Sequence, residues 1–205
     1  MTMLVTEHEP PPEVQRLYAA LGRFIARFEH VNHAMNSVVT AILEDNGLRD
    51  YKLALAVLAG VSGEPLRKNL EAVLAYVVSP VASERDILTN VMGRIVTLIQ
   101  RRNDIVHRTW FIGSTDAENP DYSRATSIKF RKNKDGAGPT FLDLSIAEFD
   151  ALSAEADELT GLVRGIGNSI INGSPLASRC TVDPNGKVRS LEAPKGGLDG
   201  PGIAP

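Results

Sequence analysis

The segment Arg101-Arg102-Asn103-Asp104-Ile105-Val106-His107-Arg108 sets a guanidinium five residues before an imidazole, with a carboxamide directly after the guanidinium. A guanidinium stays charged and meets a phosphate with a planar fork of donors. An imidazole gives or takes a proton near neutral pH. Together they are a minimal set for cleaving a phosphodiester without a metal ion. Arg102, Asn103 and His107 are therefore the candidate catalytic residues. On an ideal helix Asn103 and His107 share a face. Arg102 stands about 140° round from His107. Its side-chain length, a distorted last turn or a partner subunit must close that angle.

The surroundings are basic although the whole chain is acidic. Between Arg94 and Lys134 there are nine Lys or Arg against four Asp or Glu. Arg101, Arg108, Lys129, Arg131 and Lys132 are the candidate phosphate contacts. The alternative for the last three is an exposed strand edge protected by charge. Tyr122, Trp110 and Phe130 are candidate base-stacking rings, with Trp110 and Phe111 placed more readily in a core. Three residues are candidate supports. Glu29 and Asn32 on the first helix would approach the motif and tune His107, and Asp104 neighbours it in sequence. The competing structural reading pairs Arg102 with Asp104 or with a first-helix carboxylate and lets His107 cap a helix end. His30 and His33 have a metal-ligand spacing but lack an evident third ligand. No metal or cofactor is expected.

The elements that carry these residues are mostly helical. Leu17, Leu21, Phe24, Phe28, Val31, Met35, Val38 and Ile42 recur at three- and four-residue spacing, which predicts one long amphipathic helix after Pro12. A short apolar helix is expected over 50–59 and a third from Glu64-Pro65 to Val77. A fourth starts near Ser83, read as its N-cap, and runs toward Trp110 and Phe111. Alternation over 127–131 and 140–144 predicts a β-hairpin at about 127–144. Ser145 and Glu148 fit a capping box opening a fifth helix over 146–171. The expected layout is a flexible tail over 1–12, one mainly α domain of four to five helices over 13–172 with the inserted hairpin, and a disordered Gly/Pro-rich tail over 173–205.

Composition excludes several classes. The chain is 43% hydrophobic and 23% charged, as globular proteins are. A net charge of -3 and a pI near 5.8 do not by themselves mark a nucleic-acid binder. One cysteine, Cys180, leaves no intrachain disulfide. No 18-residue apolar run is present, so no membrane association is expected. The N-terminus lacks a secretion-signal pattern, and a cytoplasmic location is expected. Phosphate-binding glycine loops and nucleophile-elbow motifs are absent.

A long penultimate helix ending in Arg102-Asn103-x-x-x-His107 resembles the HEPN superfamily (higher eukaryotes and prokaryotes nucleotide-binding). The resemblance covers about 13–111 and the later helix, and the stretch beyond Asn172 lies outside it. It implies an all-α HEPN-like bundle and metal-independent RNA cleavage by the Arg-x(4–6)-His motif. It also implies a homodimer in which two copies of the motif form one cleft. Many members of that superfamily act in toxin–antitoxin or anti-phage defence systems, so an antitoxin or regulatory protein is an expected partner.

Overall fold

Pro12 opens the first helix with its ring at a position whose N–H needs no partner, and Gln15 N donates back to Pro11 O at 3.1 Å. The structure is a computed structural model. It describes residues 10–78, 81–113, 121–133 and 136–191, the side chains of 82 and 131–133 excepted. Among them are the helices α1 (Pro12–Asp45), α2 (Tyr51–Leu58), α3 (Gly63–Val77), α4 (Ala82–Val106) and α5 (Ile146–Ile171). Strands β1 (Thr109–Ile112), β2 (Arg124–Asn133) and β3 (Gly136–Ser145) form an antiparallel sheet in that order. Strands β4 (Cys180–Val182) and β5 (Val188–Ser190) form a second, small antiparallel pair. The protein is mainly α, as the periodicity predicts. No helix among the described residues is long and apolar enough to cross a membrane.

The residues group into two compact units. One comprises Met1–Phe28 and Gln100–Ala154, the other Glu29–Ile99 and Glu155–Pro205. In the first unit, Val14, Leu17, Ala20, Phe24 and Phe28 form the buried stripe of α1. They recur at the spacing of one helix face. The sheet turns Ala125, Ser127 and Leu144 inward, all buried. Trp110 meets Phe149 of α5 with ring centroids 5.8 Å apart. The Ser145–Glu148 capping box forms as expected. Ser145 N and Oγ both donate to Glu148 Oε2, at 2.8 and 2.7 Å, and Glu148 N donates to Ser145 Oγ at 3.3 Å. Those bonds from Ser145, with Arg124 nearby, hold the Glu148 carboxyl below its usual range.

Two boundaries of the expected fourth helix shift. Ser83 lies inside α4, not before it. Glu84 N and Arg85 N donate to Val81 O, so Val81 precedes the first turn. At the other end, α4 stops at Val106, and Thr109–Ile112 is a strand. Thr-Trp-Phe-Ile is a β-branched and aromatic run that suits a pleated surface, and its pairing with 125–128 of β2 completes the sheet.

In the second unit the core is built from α1, α3, α4 and α5, with Met35, Ile42, Leu66, Leu70, Ile95, Leu159 and Leu162 fully buried. The expected disorder from Gly173 onward does not hold over 176–190. Leu176–Ser178 is a 3-10 turn, and β4 and β5 follow. Leu176, Cys180 and Val188 are buried, single apolar anchors too sparse to show as periodicity. Charge does the remaining fastening. Arg94 donates to Glu155, Glu158 and the carbonyl of Val188 at 2.7, 3.0 and 2.5 Å. Lys187 reaches Glu155 at 2.6 Å, and Arg189 reaches Glu158 at 2.7 Å and Asp183 at 3.2 Å. Burial pushes the Cys180 thiol above its usual range, which keeps it a neutral core residue. Residues 192–205, the remainder of the expected tail, and 1–9 lie outside those described.

Candidate functional site

The motif occupies the last turn of α4 and the turn beyond it, inside the first unit. Ile105 is buried at 1% exposure and fixes the rotation of the helix. That rotation leaves Arg101 and Asn103 exposed and Arg102 and Asp104 half-buried. His107 N donates to Asn103 O at 3.4 Å, a stretched final helical bond. The imidazole is thus carried by the first residue outside the helix, and it is exposed.

Two neighbouring side chains fix that turn. The last carbonyls of a helix have no partner within it, and the Trp110 indole N–H donates to one of them, Ile105 O, at 2.9 Å. Arg108 Nη1 donates to Thr140 O of β3 at 2.9 Å. His107 sits between these two attachments. Its ring makes no hydrogen bond or ion pair among the described residues.

Arg102 is held from below and from the side. Its guanidinium carbon lies 5.4 Å from the centroid of the Phe28 ring of α1, a cation–π distance. Its Nη1 donates to Asn103 Oδ1 at 3.4 Å. So the structure joins Arg102 to Asn103 by side chain, and Asn103 to His107 by backbone. Phe28 is the contributor that sequence reading left among core residues. Its place in the apolar stripe of α1 is legible, but its contact with α4 is not.

The outer candidates divide. Arg101 is exposed and available to a ligand. Lys129 points to the inner side of the sheet, where its ammonium lies 3.9 Å from Asp104, so Asp104 meets a sheet residue. Arg108 is committed to Thr140, and its Nε is buried without a hydrogen-bond partner among the described residues. The side chains of Arg131 and Lys132 lie outside those described. Phe111, expected in the core, is 55% exposed, because strand alternation sends it to the opposite face from Trp110.

Glu29 and Asn32 belong to the second unit. Asn32 is buried, and both ends of its amide are used there. Nδ2 donates to Glu29 Oε2 at 2.9 Å, and Oδ1 accepts from Gly63 N at 3.0 Å. Asn32 thus ties α1 to the start of α3, where Gly63 adopts φ of 59°, a left-handed conformation easy for glycine. His33 Nδ1 is 3.4 Å from Ser37 Oγ, and no cluster of three or more His, Cys, Asp or Glu able to hold a metal occurs among the described residues.

No protein-family model, curated protein or solved structure matches the chain.

Proposed function

We propose that this protein is a metal-independent endoribonuclease of HEPN type that works as a homodimer, a toxin or anti-phage defence effector restrained by an antitoxin or regulatory protein. One observation carries the reading. His107 presents an exposed imidazole with no internal partner among the described residues, on a turn fixed at both sides and one helical turn from Asn103 and the ring-supported Arg102.

In this mechanism a ribose 2′-oxygen attacks the adjacent phosphorus in line. Its proton passes to the imidazole of one His107 acting as general base. The bond from phosphorus to the 5′-oxygen breaks, and that oxygen takes a proton from water. Arg102 holds the phosphate as charge builds on its oxygens. Asn103 orients His107 or the phosphate. The products are a 2′,3′-cyclic phosphate and a 5′-hydroxyl.

A composite cleft makes a distinctive demand. Arg102→Ala and His107→Ala proteins are each inactive alone. Mixed and allowed to exchange subunits, they regain part of the activity, because a heterodimer holds one Arg102 and one His107. A wild-type monomer by sedimentation at assay concentration, or no recovery on mixing, contradicts the composite site.

The second reading is a catalytically silent HEPN-like module that binds a partner protein or nucleotide. It is favoured by α2, which leaves Tyr51, Leu53, Leu55 and Val57 exposed. It expects no RNA turnover and tolerance of Arg102→Ala in partner binding.

A further inference from the structure

Three Asn-Gly dipeptides occur in the chain, at 46–47, 172–173 and 185–186. Asparagine is a thermolabile residue, and a following glycine has no Cβ to shield its nitrogen from the carboxamide. The fold treats the three pairs differently. Asn46 follows α1 and Asn172 follows α5. Each turns its carboxamide back onto its helix. Asn46 Nδ2 donates to Ile42 O at 2.8 Å, and Asn172 Nδ2 donates to Asn168 O at 2.7 Å, carbonyls that a helix end leaves without a partner. Asn185 and Gly186 lie in the turn between β4 and β5, both exposed. Among the described residues the Asn185 side chain makes no hydrogen bond, and its main-chain N–H donates to Asp183 Oδ1 at 2.9 Å. Asp183 holds the rest of the turn as well. Its Oδ1 accepts from Lys187 N at 2.9 Å, and its carbonyl accepts from Gly186 N at 2.9 Å.

We propose that Asn185 is a deamidation site gated by Asp183, and that its conversion releases the β4–β5 hairpin from α4. When the turn opens, the amide nitrogen of Gly186 gives its proton to base and attacks Asn185 Cγ. A bond forms from that nitrogen to Cγ, the Cγ–Nδ2 bond breaks, and Nδ2 takes a proton from water and leaves as ammonia. The product is a five-membered succinimide. Water then adds to one of its two carbonyl carbons. Opening at Cγ gives aspartate, and opening at the main-chain carbon gives isoaspartate, whose main chain runs through the β-carbon. Asn90 of α4 grips the hairpin at two points around this bond. Its Nδ2 donates to Gly186 O at 3.2 Å, and its Oδ1 accepts from Val188 N at 3.3 Å. The extra methylene of isoaspartate moves both partners out of that grip. Either product also adds a carboxylate two residues after Asp183, while Lys187 and Arg189 are already paired with Glu155 and Glu158.

The test incubates the full chain at mildly alkaline pH, which favours the deprotonated amide, once natively and once in urea. Trypsin then sets the three pairs on separate peptides, 28–49, 165–179 and 180–187. Mass reads the conversion of each, and methylation by an isoaspartyl methyltransferase counts isoaspartate. In urea the three convert alike. In the native chain Asn185 converts faster than Asn46 and Asn172 by roughly two- to tenfold, the factor of the one hydrogen bond that holds their carboxamides. Asp183→Ala quickens conversion at Asn185 by a similar factor. The converted protein loses protection of amides 180–190 against hydrogen exchange, relative to the unfolded chain at the same pH. Asn185→Gln, whose longer side chain closes a ring far more slowly, keeps that protection through the same incubation. Equal native conversion at the three pairs, or none at Asn185, overturns the site. An unchanged rate in Asp183→Ala overturns the gate. Full protection in the converted protein overturns the release from α4.

Discussion

Arg102 stands over Phe28, guanidinium carbon 5.4 Å from the ring centroid, and the ring is 2% exposed. A buried aromatic beneath a half-buried cation fixes the cation's position. Phe28→Leu keeps apolar volume and removes the π face. Cleavage is expected to fall roughly two- to thirtyfold, the range of a lost cation–π contact, with the protein still folded. Unchanged single-turnover rates in a folded Phe28→Leu protein would show that the ring does not position Arg102.

Arg102→Lys keeps the charge and loses the planar fork. The expected result is a loss of about 10²–10³ in rate with little change in melting temperature. A lysine enzyme within a few fold of wild type would mean that Arg102 supplies only a point charge.

A Cβ on Gly167 of α5 would lie 2.6 Å from Val38 Cγ2 of α1. Val38 is β-branched and has little rotamer freedom in a helix, so it cannot swing aside. Gly167→Ala should destabilise the protein by about 1–3 kcal/mol through overpacking. Val38→Ala made in the same protein should recover part of that loss. Additive destabilisation by the two changes, measured by denaturant titration, would rule the steric account out.

The β4–β5 hairpin should open in acid. Burial pushes the Glu155 carboxyl up, but hydrogen bonds and charge from Arg94 and Lys187 outweigh it and leave the group below its ordinary value of 4.5. Backbone N–H groups of Lys187 and Asn185 and the Arg189 guanidinium likewise lower Asp183 from 3.8. A depressed carboxylate contributes stability that is present above its ordinary value and lost as pH falls through the lowered one. Protection of amides 180–190 against hydrogen exchange, relative to the unfolded chain at the same pH, should therefore hold from neutral pH to about 4.5 and fall below it. Glu155→Gln should lower it already at neutral pH. A hairpin equally protected in both proteins would show that its apolar anchors alone hold it.

Legibility in the sequence followed the strength of local signals. Helix α1, the Ser145–Glu148 box and the β2–β3 hairpin were readable because periodicity, capping and alternation are short-range codes. The third strand was not. Thr109–Ile112 follows the α4 pattern directly, and only its partner across 125–128 tells strand from helix. The ordered stretch at 176–190 was missed for a related reason, since ion pairs from Arg94, Glu155 and Glu158 link residues far apart in sequence. Within the candidate site, Arg102, Asn103 and His107 were visible from spacing. Phe28 beneath Arg102 and the diversion of Asn32 to Gly63 were visible only once α1 had neighbours.

The most direct test incubates the purified protein with a mixed RNA pool in excess EDTA, beside His107→Ala. The account predicts cleavage by the wild type alone, with 2′,3′-cyclic phosphate and 5′-hydroxyl ends. Equal cleavage by both proteins, or none by a folded wild-type dimer, would contradict it.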